Sequence, residues 1–225
     1  MGFLQREEKP NQNPTSKFME WKSNNKSFSY YDKEIKSNVP VKIPLTFLVL
    51  EEYHTVKGFS DQDQTGIYSN EVLQIGNQEM EVKTYKGRLI AKGLYKDIKG
   101  VVKTAGGNYF KSIYVVTKEG ELVNLSFFGV AVSKWSNFTE KGAWKRLKDE
   151  WVTVEDVEEH KKGSVKYTTP NFKFNTSLSE NEFKMVTEKA TELNAWMGRY
   201  FSKKEVKPEN EVEVDAVVDL SDLDF

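Results

Sequence analysis

The chain is predicted to be mainly β: a small barrel of short strands, with one helix set between strands and one amphipathic helix behind them. Three observations carry this. Apolar, aromatic and β-branched runs recur along the middle of the chain, broken by glycine, asparagine and proline. Between Gly129 and Gly142 the apolar period changes from two to nearly four. Beyond Ser177 one long stripe keeps helical spacing as far as Tyr200.

Residues 1–38 read as a polar arm, with Pro10 and Pro14 near its start. Within it, two aromatic segments around Asn24-Asn25, Lys17–Lys22 and Ser27–Asp32, suggest a hairpin, because asparagine tolerates the positive φ of tight turns. Val41–Lys57 is the strongest strand signal. Leu45 and Phe47–Leu50 are apolar on both parities, as in a strand buried on both faces, while Pro40 and Pro44 place its start near an edge. Glu71–Ile75 and Met80–Leu89 follow as strands. In the second, Met80, Val82 and Thr84 share one face and Glu81, Lys83 and Tyr85 the other. Asn108–Thr117 is β-rich with apolar groups on both parities, so its inner face stays open.

Leu122–Phe128 alternates, with Val123, Leu125 and Phe127 opposed to Asn124, Ser126 and Phe128. Ala131, Trp135 and Phe138 then share one face of a short helix. Trp151–Val157 and Val165–Phe174 are further strands. Ser177 or Ser179, each with Glu three residues on, caps a helix over 179–201 whose stripe is Phe183, Val186, Ala190, Leu193, Met197 and Tyr200. The order fits an OB-like β-barrel with a short inter-strand helix and a C-terminal amphipathic helix, spanning residues 39–204. Other barrels of similar strand count remain open. The helix stripe could serve a homodimer as readily as it caps the barrel.

Residues 205–225 read as a flexible acidic tail. From Glu209 it holds seven acidic residues, no basic ones and a terminal Phe225. The whole chain has 33 Lys+Arg against 34 Asp+Glu, so the near-neutral total hides a basic body joined to an acidic end. Such a split points toward nucleic acid, although acidic ends also serve as plain solubilisers. The valines and leucines between the acids make the tail more apolar than a simple solvated chain. Asp219, Asp222, Leu223, Asp224 and Phe225 resemble a short docking peptide for a partner protein.

Other chemistries find little support. Cysteine is absent, which removes disulfides and thiolate metal sites. His54 and His160 lie far apart, no Gly-rich phosphate loop with a lysine occurs, and no acidic spacing suggests a two-metal site. No catalytic residue, metal or cofactor is therefore expected. No signal-like or membrane-spanning run is present, so a soluble cytoplasmic protein is expected.

Binding has a better case. Met80–Lys111 carries eight basic residues against two acidic ones. Lys83, Lys86, Arg88, Lys92, Lys96 and Lys111 are interleaved there with Tyr85, Tyr95, Tyr109 and Phe110. Cations beside aromatic faces are how single strands are held, since every base has a π-face to stack. Trp144, Lys145 and Arg146 form a second cluster of the same kind. An exposed strand with edge lysines would look similar, but Tyr85 falls on the polar parity beside Lys83.

The end Asp222-Leu-Asp-Phe225 resembles the tails of bacterial and bacteriophage single-stranded DNA-binding proteins. Ile67–Val72, and Gly120–Gly129 followed by Trp135, are similar to the phage members with an OB-fold. The resemblance implies sequence-independent protection of single-stranded DNA in phage replication, recombination or repair, in the host cytoplasm. It also implies recruitment of polymerase, helicase or primase through Phe225 and its acidic neighbours. One phage group uses a cysteine-containing zinc site, from which this chain departs. The alternatives are a β-barrel interaction or virion protein with a solubilising tail, or an RNA-binding or strand-annealing protein.

Overall fold

The computed structural model describes residues 13–140 and 142–205. The tail positions Asp219, Asp222, Leu223, Asp224 and Phe225 lie outside the described residues. Eleven strands form one sheet: β1 (Lys17–Lys22), β2 (Ser27–Asp32), β3 (Ser37–Val41), β4 (Leu45–Ser60), β5 (Thr65–Ser69), β6 (Met80–Thr84), β7 (Leu89–Gly93), β8 (Gly107–Thr117), β9 (Leu122–Phe128), β10 (Glu150–Lys162) and β11 (Val165–Ser177). Four helices accompany them: α1 (Tyr95–Thr104), α2 (Val130–Thr139), α3 (Ala143–Arg146) and α4 (Glu180–Glu205).

The chain is mainly β, and its sheet is mixed and open. Strand order is β3-β2-β1-β9-β8-β4-β5-β6-β7, with β10 branching from β4 and β11 pairing β10. All ladders are antiparallel except β1 with β9. The closed barrel expected from the sequence is not formed by this pairing. Strand β11 meets the β1–β2 turn through side chains instead of a ladder: Trp21 Nε1–H donates to the Thr168 carbonyl at 2.9 Å, and the Thr168 amide donates to Ser23 Oγ.

Strand β4 is the spine. It pairs β8 along most of its length, β10 at its start and β5 at its end. Three apolar cores lie on it. The largest joins Phe47, Ile113, Leu125, Phe127, Trp135 and Val154 on the face covered by α2. Further along that face, Val56, Ile67, Met80 and Val82 pack on Ile98 and Val102 of α1. The opposite face, termed outer here, buries Leu48, Tyr114, Val116 and Trp151 under Val186, Leu193 and Met197 of α4. Strand β8 thus lies between two cores, which is why neither of its parities reads as polar.

Alternation in β6 and β9 is as expected, as is α2. Four details differ. Glu71–Ile75 makes only an isolated bridge, Val72 to His54. Met80–Leu89 divides into β6 and β7 at a turn containing Gly87 (φ +89°). The positive φ of the β1–β2 turn falls on Lys26 (53°), after the asparagines. On α4, Phe183 is exposed, while Trp196 and Phe201 pack against the core.

Candidate nucleic-acid interface

Away from α4 the outer face stays open, and its register can be followed strand by strand. Phe18 and Glu20 of β1 lie opposite Asn124 and Ser126 of β9. Ser126 pairs Ser112, and Phe128 pairs Phe110, on β8. Phe110 faces Thr55, and Asn108 faces Lys57, on β4. Lys57 leads to Tyr68 on β5, and Tyr68 to Lys83 on β6. From β9 to β6 this row crosses four strand spacings, about 19 Å at ~4.8 Å each.

Aromatic rings stand on this polar parity where burial does not explain them. Phe18 is 49% exposed, Phe128 48%, Phe59 51% and Tyr85 73%. Phe128 stacks on Phe110 with centroids 5.1 Å apart, and Tyr68 stacks on Tyr85 at the same distance. The Cδ2–Cε2 edge of Tyr85 lies against Gly66: a Cβ there would come within 2.3 Å of it. The bare glycine leaves room for the ring to stack on Tyr68 while staying largely exposed.

Beneath the rings runs a buried polar floor. Lys57 Nζ donates to Ser126 Oγ at 2.6 Å and lies 5.6 Å from the Phe110 centroid. Asn124 Nδ2 donates to Ser112 Oγ at 2.8 Å, and the Ser112 and Tyr114 hydroxyls donate to Glu71. Burial pulls the Lys57 ammonium below its ordinary pKa, against the nearby Glu71 and Glu20 carboxylates. At the margins Lys22 pairs with Glu20, and Lys83 with Glu81.

The residues singled out from the sequence divide. Lys83, Tyr85 and Lys92 belong to this face or its β7 edge. Lys86 and Arg88 sit in the β6–β7 turn, where Lys86 Nζ donates to the Asp63 carbonyl at 2.6 Å and Arg88 Nε to the Asp63 carboxylate at 2.7 Å. Tyr95 and Lys96 are on α1, behind the sheet. Tyr109 and Lys111 point the same way as Val56 and Ile113, away from the open face. Tyr109 is hydrogen-bonded to His54 Nδ1 at 2.5 Å, and Lys111 is ion-paired with buried Glu52. Trp144, Lys145 and Arg146 form α3, beyond α2. There Arg146 clasps Glu150 at 2.8 and 2.6 Å and lies 3.9 Å above the Phe174 ring.

No family model matches this chain, and no curated protein or solved structure matches it either.

Sequence reasoning did not single out Phe18, Lys57, Phe59, Tyr68 or Phe128, but it did name Phe110, which lies on this face. One signal was available: Phe128 shares its parity with Asn124 and Ser126, and a large ring on a polar parity needs a reason. Among the described residues, no group of three or more His, Asp or Glu side chains could hold a metal ion, and no helix is long and apolar enough to cross a membrane.

Proposed function

We propose that this chain binds single-stranded DNA without regard to sequence, and performs no catalysis, along the open outer face. The observation that carries this is the row of exposed rings, Phe18, Phe128, Phe59, Tyr68 and Tyr85, set on the polar parity between Lys22, Lys57 and Lys83. Bases stack on such rings whatever their identity, each worth ~1–3 kcal/mol, while lysines hold the backbone. The exposed rings lie beside buried hydrogen-bonding groups, and stacking on them requires bases free of their neighbours, as in a single strand.

The connectivity supports an OB-like frame for this role. Strands β4, β8 and β9 are antiparallel neighbours in that order, α2 follows β9, and β10 returns to pair the start of β4, Val152 opposite Phe47. The acidic tail is the second half of the proposal. The last turns of α4 lie at the margin of the face, with the Tyr200 hydroxyl accepting from the Glu71 amide at 3.4 Å and Phe201 packed on Tyr53. In this reading residues 209–225 compete with DNA for the lysines and, when displaced, present Phe225 to replication or recombination proteins. A phage setting and a cytoplasmic location belong to the same reading.

The test is titration of the protein with oligo(dT), followed by intrinsic fluorescence. Quenching with steep salt dependence is expected, and Tyr85→Ala and Phe128→Ala should each weaken binding roughly 5- to 150-fold, the equivalent of one stacked base. Absence of binding, or affinity indifferent to both substitutions, would overturn the reading and favour a protein-interaction surface. Tighter binding to oligo(U) than to oligo(dT) would move the assignment to RNA.

A further inference from the structure

The cation excess of Met80–Lys111 is not spent on the aromatic face alone. Helix α1, on the opposite side of the sheet, anchors itself through Ile98 and Val102. Its exposed side carries Lys96, Lys99, Gly100 and Lys103, spaced i, i+3, i+4 and i+7, which makes them one patch about 10 Å long. Among the described residues none of these three lysines takes part in an ion pair. On the outer face Lys22 and Lys83 are matched by carboxylates, and Lys57 is held by Ser126. One side of α1 thus presents, over about 10 Å of helix, three exposed lysines without a carboxylate partner among the described residues.

Gly100 sharpens the point. A mid-helix glycine weakens a helix, and a Cβ at this position would meet nothing within 4 Å. Internal packing does not require the glycine. Its bareness leaves a flat spot between lysines where an anion can approach the helix surface. Beside it a cleft of about 340 Å³ opens between α1 and the start of β8, with Tyr95, Lys99, Lys103 and Tyr109 among its walls. Its Tyr109 wall is held by the hydrogen bond to His54.

We propose that this side of α1 is a second nucleic-acid site, one that grips the phosphate backbone alone and so accepts single and double strands alike. The choice of nucleic acid rests on the function proposed above. It is supported by continuity, because Lys92 on the exposed β7 edge lies between the aromatic face and α1 in the chain. No fully exposed ring accompanies the α1 lysines, so bases are not read there. One molecule could then hold a single strand on its outer face and a second strand, or a duplex flank, behind it.

The experiment uses the full chain, a Lys96→Gln/Lys99→Gln/Lys103→Gln variant, and a Tyr85→Ala/Phe128→Ala variant, each probed with a blunt duplex and with a short oligo(dT). Wild type should bind the duplex weakly, and the triple variant should lose most of that binding. Three lost phosphate contacts lower the log–log salt slope by about 2.7, equivalent to roughly 40-fold over a fourfold rise in salt. The aromatic variant should bind duplex as wild type does while losing oligo(dT). The proposal is overturned if the triple variant keeps wild-type duplex affinity or if wild type binds no duplex. It is equally overturned if the triple variant loses only binding to a peptide of residues 209–225, which would make α1 an acidic-segment site. Oligo(dT) binding indifferent to Tyr85 and Phe128 would instead sink the aromatic-face reading and leave the duplex result to stand alone.

Discussion

Tyr85 and Lys111 come from one basic, aromatic stretch and meet opposite fates. Tyr85 rests its ring edge against Gly66 and stays 73% exposed. Lys111 pairs with Glu52, their side chains 12% and 8% exposed, and the other Glu52 oxygen accepts Trp135 Nε1–H at 2.6 Å. Removing one partner of such a pair strands the other charge, at a cost of about 3–5 kcal/mol. Lys111→Met should therefore lower urea-unfolding stability by about 3 kcal/mol while leaving oligo(dT) affinity of the folded protein unchanged. A large affinity loss at unchanged stability would put Lys111 back among the contacts. Tyr85 could be placed from sequence because β6 alternates cleanly. Lys111 could not, because β8 is apolar on both parities and its register with β4 decides which way it points.

At the scale of elements, α4 shows how much a cap can reveal. Ser179 and Glu182 form the expected reciprocal box: the Ser179 amide donates to Glu182 Oε2 at 2.9 Å, and the Glu182 amide to Ser179 Oγ at 3.4 Å. Lys118 beside the carboxylate, with the Ser179 amide, holds Glu182 at a pKa of about 2 against an ordinary 4.5. A depressed carboxylate adds stability above its unfolded pKa and loses it as pH falls through the folded one. Glu182→Gln should thus cost about 1 kcal/mol near neutrality, with the two melting curves converging as the pH falls from about 4.5 to 2. A difference that persists at the acid end would contradict the assignment. Helix α1 was not legible in the same way. Leu94 at its N-cap offers no side-chain cap, Gly100 interrupts it, and only Ile98 and Val102 are buried.

For the whole molecule, the division into two faces is what matters. A sheet carrying α1 and α2 on one side and α4 on the other leaves one open strip, and the aromatic row occupies it. If the acidic tail competes there, deleting residues 209–225 should tighten oligo(dT) binding roughly tenfold at low salt, by removing a tethered rival present at about millimolar effective concentration. The gain should shrink as ions screen the lysines. Filter binding across a salt series would measure it, and unchanged or weaker binding by the truncated protein would exclude competition at this face.

What the sequence determined by itself was whatever depends on neighbours along the chain. Alternation placed Met80, Val82, Leu125 and Phe127 in the core, helical spacing found α2 and α4, and charge counting separated the acidic end from the basic body. What the tertiary structure alone decided was which of those surfaces coincide. The β4–β8 register turned Lys111 and Tyr109 away from the open face, and the parallel β1–β9 ladder brought Phe18 beside Asn124. Pairing between distant strands also left the sheet open where a barrel was expected. Ladder partners far apart in the chain are selected by fit across the completed sheet, and no local period records that fit.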